Sequence, residues 1–289
     1  MAQPLLDKVL ARVLELLPET GELDWAKHPA AIWRQSPWYS RFIGFSQMDE
    51  TGLDDLLNID EQKSKLVANT EQFLAGLPAN NALLWGARGT GKSTLIHALL
   101  NAYHEQGLRL VEIKKEDLAT LSEIVERLAS FPFKFIVFCD DLSFTVDDPS
   151  YKELKSALEG SIFKTAANVL VYATSNRRHL VPETMADNQR ARMDQGELHE
   201  GEAIEEKISL SDRFGLWLSF YGFKQSAYLK VVSHWVTKFA ARYEVEVDQS
   251  DPELRAEALR WALARGARNG RTAQYFARHW VGQEGLKTR

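Results

Sequence analysis

The chain has 289 residues, of which 45% are hydrophobic and 26% are charged, and its formal net charge at pH 7 is -5. This composition is typical of a globular protein long enough for two domains, and it argues against a surface that is basic throughout, as a general nucleic-acid platform would be. The single cysteine, Cys139, excludes an internal disulfide, and no apolar run reaches the roughly 18 residues of a membrane span, so we expect a cytoplasmic protein without a membrane partner.

Residues 1–56 are predicted to form a helical N-terminal extension. Residues 5–17 have the spacing of an amphipathic helix, and aromatic residues interleaved with basic ones follow it. The aromatic residues are Trp25, Trp33, Trp38, Tyr39, Phe42 and Phe45, and the basic residues are Lys27, Arg34 and Arg41. Such a segment can pack against a neighbouring domain, dock a protein client or bind a single-stranded nucleic acid, and packing is the preferred interpretation because it is the most common.

A glycine-rich loop follows, between a predicted strand and a predicted helix. Residues 81–85 are apolar and of strand type, and residues 93–106 have helical spacing of their apolar side chains. Between them, residues 86–93 (GARGTGKS) match the phosphate-binding pattern G-x-x-x-x-G-K-[ST] in full. The alternative is a chance glycine-rich turn, and the strand–loop–helix setting argues against it.

The pattern predicts a role for each part of this loop. Glycines adopt positive φ and allow successive N–H groups to point at a phosphate at the start of the helix. Lys92 would reach the β- and γ-phosphates, and Ser93 would be a ligand of Mg²⁺. The predicted nucleotide-binding residues are Gly86, Ala87, Arg88, Gly89, Thr90, Gly91, Lys92, Ser93 and Thr94. The expected cofactors are therefore ATP or ADP with Mg²⁺.

A second predicted strand ends in two acids, within residues 133–144 (FKFIVFCDDLSF). At the tip of a buried strand, Asp140 could hold Mg²⁺, while Asp141 beside it could orient or deprotonate an attacking water. The alternative is that the two acids only start a turn, and the phosphate loop upstream argues against it. Cys139 in this strand is interpreted as a small buried hydrophobe and not as a nucleophile.

Three further strands complete a predicted five-stranded sheet. Residues 108–113 form a strand that is followed by a helix at residues 117–129. Residues 168–173 form a strand that ends near Asn176, where a polar side chain is well placed for a γ-phosphate, and residues 209–221 (SLSDRFGLWLSFY) lead into the last strand. Strands that alternate with helices predict an α/β fold with a parallel sheet covered on both faces.

The remaining segments are a polar stretch and a helical C-terminus. Residues 182–207 contain eight acids and three bases with little apolar periodicity, which predicts a solvated loop. This loop is either a surface insertion or a regulatory contact next to Arg213. Helices are predicted near residues 226–241, 252–264 and 271–281.

With these motifs in place, the chain resembles the AAA+ ATPases. The resemblance implies that residues 86–93 are the Walker A loop, that residues 135–141 are Walker B, and that residues 57–224 and 225–289 are the nucleotide-binding domain and a helical lid. It also implies that Asn176 is the sensor 1 residue and that Arg271 is the sensor 2 arginine, which would contact the nucleotide. Arg213 in LSDRFGL resembles an arginine finger, which acts in trans within a homo-oligomer. The stretches NNALLWGARGTGKS, FCDDLSF and LSDRFGL are similar to a bacterial AAA+ group classed as a domain of unknown function.

Two positions depart from the AAA+ pattern. Asp141 stands where glutamate is usual, and its side chain is one methylene shorter, so turnover could be slow. Asp212 stands where many relatives have serine, and it could pair with Arg213 in a local salt bridge in place of the finger role.

Three functions remain open at this point. The first is an ATPase subunit that couples hydrolysis to conformational change on a macromolecular partner, with Lys92, Asp141, Asn176 and Arg213 as catalytic residues. The second is a nucleotide-gated switch or adaptor with little turnover. The third is a P-loop kinase, which the additional strand at residues 108–113 and Arg213 make less favourable.

Overall fold

The computed structural model describes residues 22–36, 39–47, 50–144, 149–159, 166–178, 180 and 212–287. Within these ranges seven strands form one sheet. They are β1 (Ala30–Ser36), β2 (Tyr39–Phe45), β3 (Ala82–Gly86), β4 (Leu108–Ile113), β5 (Lys134–Cys139), β6 (Val169–Ser175) and β7 (Leu216–Phe220).

Helices cover both faces of the sheet and form a separate bundle at the C-terminus. They are α1 (Asp60–Leu74), α2 (Lys92–Tyr103), α3 (Leu121–Ala129), α4 (Pro149–Glu159), α5 (Gln225–Tyr243), α6 (Pro252–Ala264) and α7 (Gly270–Lys287), with short 3-10 turns at Leu53–Asp55, His104–Gln106 and Lys115–Thr120. Local sequence fixes their starts, as in α6, where the Asp251 carboxylate accepts a hydrogen bond from the N–H of Glu253 at 2.8 Å and Pro252 occupies the first turn.

The strand order is β2-β1-β4-β5-β6-β3-β7. Strand β2 is antiparallel to β1, and the other neighbouring pairs are parallel. Because β3 lies between β6 and β7, the chain crosses β6 and β5 when it passes from β3 to β4. The direction of winding therefore changes between β3 and β6, and the carboxyl ends of these strands are where α/β sheets bind ligands.

The five predicted strands are confirmed as β3 to β7, but the sheet has seven strands. The predicted helical extension over residues 1–56 is wrong for residues 30–45, which form the hairpin of β1 and β2. In β1 the side chains of Ala31 and Trp33 are buried while Arg34 is exposed, and Ala30 pairs with Leu110 of β4. This alternation has the period of a strand and not of a helix. The predicted helix at residues 5–17 lies outside the described residues.

Aromatic residues of the N-terminal segment belong to the core of one sheet face. Trp25 and Trp33 are 2% and 1% exposed, and the rings of Trp25 and Phe135 lie 4.9 Å apart. Trp33 Nε1 donates a hydrogen bond to Thr120 Oγ1 at 2.9 Å. The packing interpretation is therefore confirmed for these two residues, while Trp38 lies outside the described residues.

Helices α5 to α7, here called the lid, have a hydrophobic cluster of their own. Tyr228 and Val232 of α5 pack with Ala258 of α6 and with Ala273 and Phe276 of α7. The three helices agree with those predicted from periodicity. Nowhere in the described residues is a helix both long and apolar enough to cross a membrane.

Candidate nucleotide site

A cavity of about 300 Å³ lies at the carboxyl edge of the sheet, next to the change in winding direction. The loop before α2 and the ends of β5 and β6 line one part of it. Helices α5 and α7 line another part, and residues from Thr51 to Ile59 complete the wall. The cavity therefore lies between the α/β domain and the lid.

Three positions of the glycine-rich loop, Gly86, Gly89 and Gly91, have a positive φ that favours glycine, and at the first two a Cβ would also clash. Gly86 has φ 128°, and a Cβ there would lie 2.0 Å from the carbonyl oxygen of Phe220. The next N–H, of Ala87, donates to that same carbonyl at 2.9 Å. Gly89 has φ 73°, and a Cβ there would lie 2.8 Å from the side chain of Asn269 in the lid. The first glycine thus packs against β7 and the second against the lid.

Lys92 is buried, with 7% of its surface exposed, and its ammonium group lies at the centre of the site. It donates to the carbonyls of Gly86 and Ala87 at 2.8 Å each and to Asn176 Oδ1 at 3.3 Å. Burial lowers the pKa of Lys92, and although the charges of Asp141 and Asp140 oppose this, the pKa stays below its ordinary value. The ammonium group therefore joins the loop to the tip of β6.

Asp140 and Asp141 follow β5 and are held by side chains from two other elements. Asp140 Oδ1 accepts hydrogen bonds from Ser93 Oγ at 2.6 Å and from Thr174 Oγ1 at 2.5 Å. The N–H of Asp141 donates to Thr174 Oγ1 at 2.8 Å. Asp141 itself has φ 50°, which is uncommon for a residue other than glycine. One threonine hydroxyl thus sets the positions of both acids.

The oxygen atoms of this cluster fit a magnesium site. Mg²⁺ prefers hard oxygen ligands and keeps one or two protein carboxylates together with phosphate oxygens and water. Ser93 Oγ and the Asp140 carboxylate are such ligands and lie in direct contact. Among the described residues, no group of three or more His, Cys, Asp or Glu side chains could hold a metal ion.

Asn176 lies where the sequence predicted, beside Asp141 and Lys92. Its Nδ2 donates to the Asp141 carboxylate, and its Oδ1 accepts from Lys92. The structure therefore brings Lys92, Asp141 and Asn176 together, with Ser93 and Asp140 adjacent to them.

The lid contacts the glycine-rich loop through the start of α7. Asn269 Nδ2 donates to the carbonyl of Arg88 at 3.0 Å, and its Oδ1 caps the helix by accepting from the N–H of Thr272 at 2.8 Å. The N–H of Arg271 donates to the carbonyl of Gly89 at 3.2 Å, and Arg271 lines the cavity. The loop is thus bonded directly to the lid.

The apolar end of the cavity was not predicted from the sequence. It is lined by Leu56, Ile59, Phe223, Val231 and Trp235, which come from two distant parts of the chain. No local motif marks such a wall, because each residue belongs to an ordinary apolar pattern. A planar aromatic base fits an apolar wall of this kind.

Three predicted site residues, Gly86, Ala87 and Arg213, do not line the cavity. Arg213 is the one outside the glycine-rich loop. It is exposed in the turn before β7, at the amino end of that strand, whereas the glycine-rich loop follows the carboxyl end of the parallel neighbour β3. Five residues of β7 at about 3.3 Å each separate the two ends by about 15 Å. Within one chain, Arg213 and the glycine-rich loop therefore lie at opposite ends of neighbouring parallel strands.

Comparison with known proteins identifies the family. The model of the family described as "Protein of unknown function (DUF815)" matches residues 26–284. The large subunit of replication factor C from Staphylothermus marinus is 32% identical over 97 residues, which are 33% of this chain and 21% of that protein. The chain thus spans about a fifth of the length of this relative.

Two solved structures share the fold. A RuvB variant from Thermotoga maritima has a TM-score of 0.52 at 17% identity, covering 82% of this chain and 67% of that chain. ORC1 from Aeropyrum pernix, solved in complex with DNA, has a TM-score of 0.53 at 17% identity, covering 81% of this chain and 62% of that chain. The chain therefore belongs to the family described as DUF815, and its fold is that of the P-loop AAA+ proteins.

Proposed function

We propose that this protein binds ATP with Mg²⁺ in the cavity and hydrolyses it as a subunit of a homo-oligomer that changes the conformation of a macromolecular partner. The observation that carries the proposal is the meeting of Lys92, Ser93, Asp140, Asp141 and Asn176 around one cavity that lid helices also line. Motifs that are far apart in sequence would not converge in this way by chance.

Each residue has a distinct role in the proposed reaction. The N–H groups of the glycine-rich loop and the ammonium group of Lys92 bind the phosphates. Ser93 and Asp140 would hold Mg²⁺, which neutralises charge on the phosphate oxygens when it is bound. Asp141 orients and deprotonates the attacking water, and Asn176 fixes the carboxylate of Asp141 through a hydrogen bond.

Arg213 would act on the nucleotide of a neighbouring subunit. Arg213 does not line its own cavity, and its exposure at the amino edge of the sheet suits a contact with another chain. An arginine supplied in trans stabilises charge that develops on the transferred phosphoryl group. The oligomer is thus required for turnover in this proposal.

The second candidate function is a nucleotide-gated switch that binds ATP and turns over little. The side chain of Asp141 is one methylene shorter than the usual glutamate, and its carboxylate is bonded to Asn176. A displacement of about 1 Å in a water-positioning group can lower the rate on the order of a hundredfold. Under this alternative, ATP binding alone changes the partner contact.

The test measures steady-state ATP hydrolysis and ATP affinity for Lys92→Ala, Arg213→Ala and their mixture. We expect Lys92→Ala to lose binding or turnover. Arg213→Ala should bind ATP normally and lose turnover by about 10³- to 10⁵-fold, as arginine fingers do. The mixture should regain part of the activity, because some interfaces then pair an intact loop with an intact arginine. Arg260→Ala, an exposed arginine paired with Glu257 in α6, is the matched control.

Two results would contradict parts of this proposal. Unchanged ATP affinity and turnover in Lys92→Ala would show that this cavity is not the nucleotide site. Parental turnover in Arg213→Ala at concentrations where the protein assembles would exclude the trans mechanism. Slow turnover in the parent, independent of protein concentration and of Arg213, would favour the switch.

A further inference from the structure

Residues 50–58, here called the strap, run along one face of lid helix α5. Asn58 Nδ2 donates to the carbonyl of Ala227 at 3.2 Å, near the start of that helix. Asp55 contacts His234 and Lys238 further along, and Glu50 binds Arg242, with Nη2 and Oε1 3.1 Å apart. His234, Lys238 and Arg242 are four positions apart, which places them in one row on the helix.

The other side of the strap is bonded to the α/β domain. Asn101 Nδ2 of α2 donates to the carbonyl of Thr51 at 2.9 Å. Lys63 Nζ of α1 donates to the carbonyls of Leu53 and Leu56 at 3.1 Å each. Helix α2 also carries Lys92 and Ser93 at its start. The strap therefore connects the lid to the helix that would bind the phosphates.

Asp55 is the most enclosed ionisable group of the strap, with 8% of its surface exposed. Its Oδ1 lies 2.9 Å from His234 Nε2, and its Oδ2 accepts from the N–H of Gly52 at 2.8 Å and from Lys238. Burial raises the pKa of Asp55, but the hydrogen bonds from Lys238, Gly52 and His234 outweigh burial and hold the pKa below its ordinary value. The carboxylate therefore stays ionised and bonded to the lid at neutral pH.

Removing one partner from such a group is costly because the other charges remain partly buried without compensation. Removing one partner of an exposed ion pair elsewhere in the protein costs much less. Lys65 and Glu61 in α1, for example, have side chains that are 54% and 74% exposed, and pairs of that kind contribute little.

From these contacts we propose that Asp55 is a positioning residue that holds the lid over the nucleotide cavity. Leu56 of the strap, Ile59 just after it and Trp235, next to His234, belong to the apolar wall of the cavity. If Asp55 no longer binds His234 and Lys238, the two sides of this wall can separate. The effect on nucleotide affinity rests on the proposed function, whereas the effect on lid position does not.

The first experiment measures lid position without nucleotide. Spin labels are attached to cysteines introduced at Glu105 after α2 and Arg255 in α6, both exposed. The native Cys139 is fully buried and does not react. We expect one narrow distribution of distances between the two labels in the parent and broader distributions in Asp55→Asn and in Lys238→Met. The second variant removes the ammonium group that binds Asp55, and Lys238 is the more exposed residue of this pair. Lys65→Met is the control and should match the parent. An unchanged distribution in both Asp55→Asn and Lys238→Met would overturn the proposal.

The second experiment titrates a fluorescent ATP analogue into the same variants. We expect Asp55→Asn and Lys238→Met each to weaken affinity about tenfold, and the double variant to be no weaker than either single variant, since both remove one interaction. Fully additive losses, or unchanged affinity despite a mobile lid, would overturn the positioning role. If the parent binds no analogue, the proposed function fails, and the distance measurement still decides whether Asp55 holds the lid.

Discussion

Thr174 controls the geometry of two acids with a single hydroxyl group. Its Oγ1 donates to Asp140 at 2.5 Å and accepts from the N–H of Asp141 at 2.8 Å. Valine has nearly the same shape and offers neither bond. We therefore expect Thr174→Val to keep the fold and to lower magnesium-dependent ATP turnover by about 10- to 100-fold, because Asp141, the proposed water-positioning acid, shifts by a fraction of an ångström.

The matched control for this prediction is Thr237→Val. Thr237 lies on α5 and donates to the carbonyl of Ser233 at 2.9 Å, away from the cavity. Its replacement should leave turnover unchanged. Steady-state hydrolysis over a range of Mg²⁺ concentrations provides the measurement, and equal rates for both variants would show that Thr174 does not position the acids.

Among the individual site residues, those that belong to a local sequence pattern could be predicted from the sequence. Lys92 and Ser93 belong to one continuous motif, and Asp140 and Asn176 each stand at the end of an apolar run. Thr174 was missed because its role depends on strand register. Cys139 pairs with Ala173, and this register places the residues that follow them side by side. No single-sequence pattern specifies such a register.

The contact between the glycine-rich loop and the lid can be tested with two glycines that have the same φ. Gly89 and Gly76 both have φ 73°, but a Cβ at Gly89 would meet Asn269 at 2.8 Å, whereas a Cβ at Gly76 has nothing within 4 Å. Alanine at either position costs about 1 kcal/mol of backbone strain. We expect only Gly89→Ala to weaken ATP affinity, by about tenfold or more, because Asn269 and the start of α7 must move.

Calorimetric titration with ATP, together with thermal melting of both variants, separates the two effects. Similar melting temperatures with different affinities are the expected result. Equal affinities would show that the contact between Gly89 and Asn269 has no bearing on nucleotide binding.

Among the elements, strands β3 to β7 and the lid helices could be predicted from the sequence. In each of them apolar residues recur at a regular spacing, and glycine or polar residues mark the ends. The hairpin of β1 and β2 was not predicted. Its aromatic residues fit either a helix or a strand, and only pairing with β4 decides between them. Strand β2 lies at the edge of the sheet and has one neighbouring strand, so the alternation of apolar and polar side chains in β2 is weak.

For the molecule as a whole, the N-terminal segment contributes to the main core. Trp33 is 1% exposed and bonds to Thr120, and Arg109 of β4 donates to the carbonyl of Trp25 at 2.6 Å. We propose that the described residues between 22 and 56 belong to the α/β domain and do not form a separate extension. The predicted domain boundary near residue 57 then marks where the recognisable sequence pattern begins. The hydrophobic core continues across it.

This arrangement predicts that Trp33→Ala lowers the free energy of unfolding by about 3–5 kcal/mol, as large-to-small changes in a core do. Tyr243→Ala, at a position that is 61% exposed, should change it by less than about 0.5 kcal/mol. Urea denaturation followed by circular dichroism gives both values. A loss near zero for Trp33→Ala would show that the hairpin docks only loosely on the sheet.

The pairing of β1 with β4 also has a consequence for synthesis of the chain. Ala30 and Leu110 pair although about 80 positions separate them, so the hairpin leaves the ribosome long before its partner strand exists. At roughly 5–20 residues per second this interval lasts several seconds. An isolated two-stranded hairpin is only marginally stable in water. Trp33 and the unpaired edge of β1 are therefore exposed on the nascent chain, where they can associate with other chains until β4 is made.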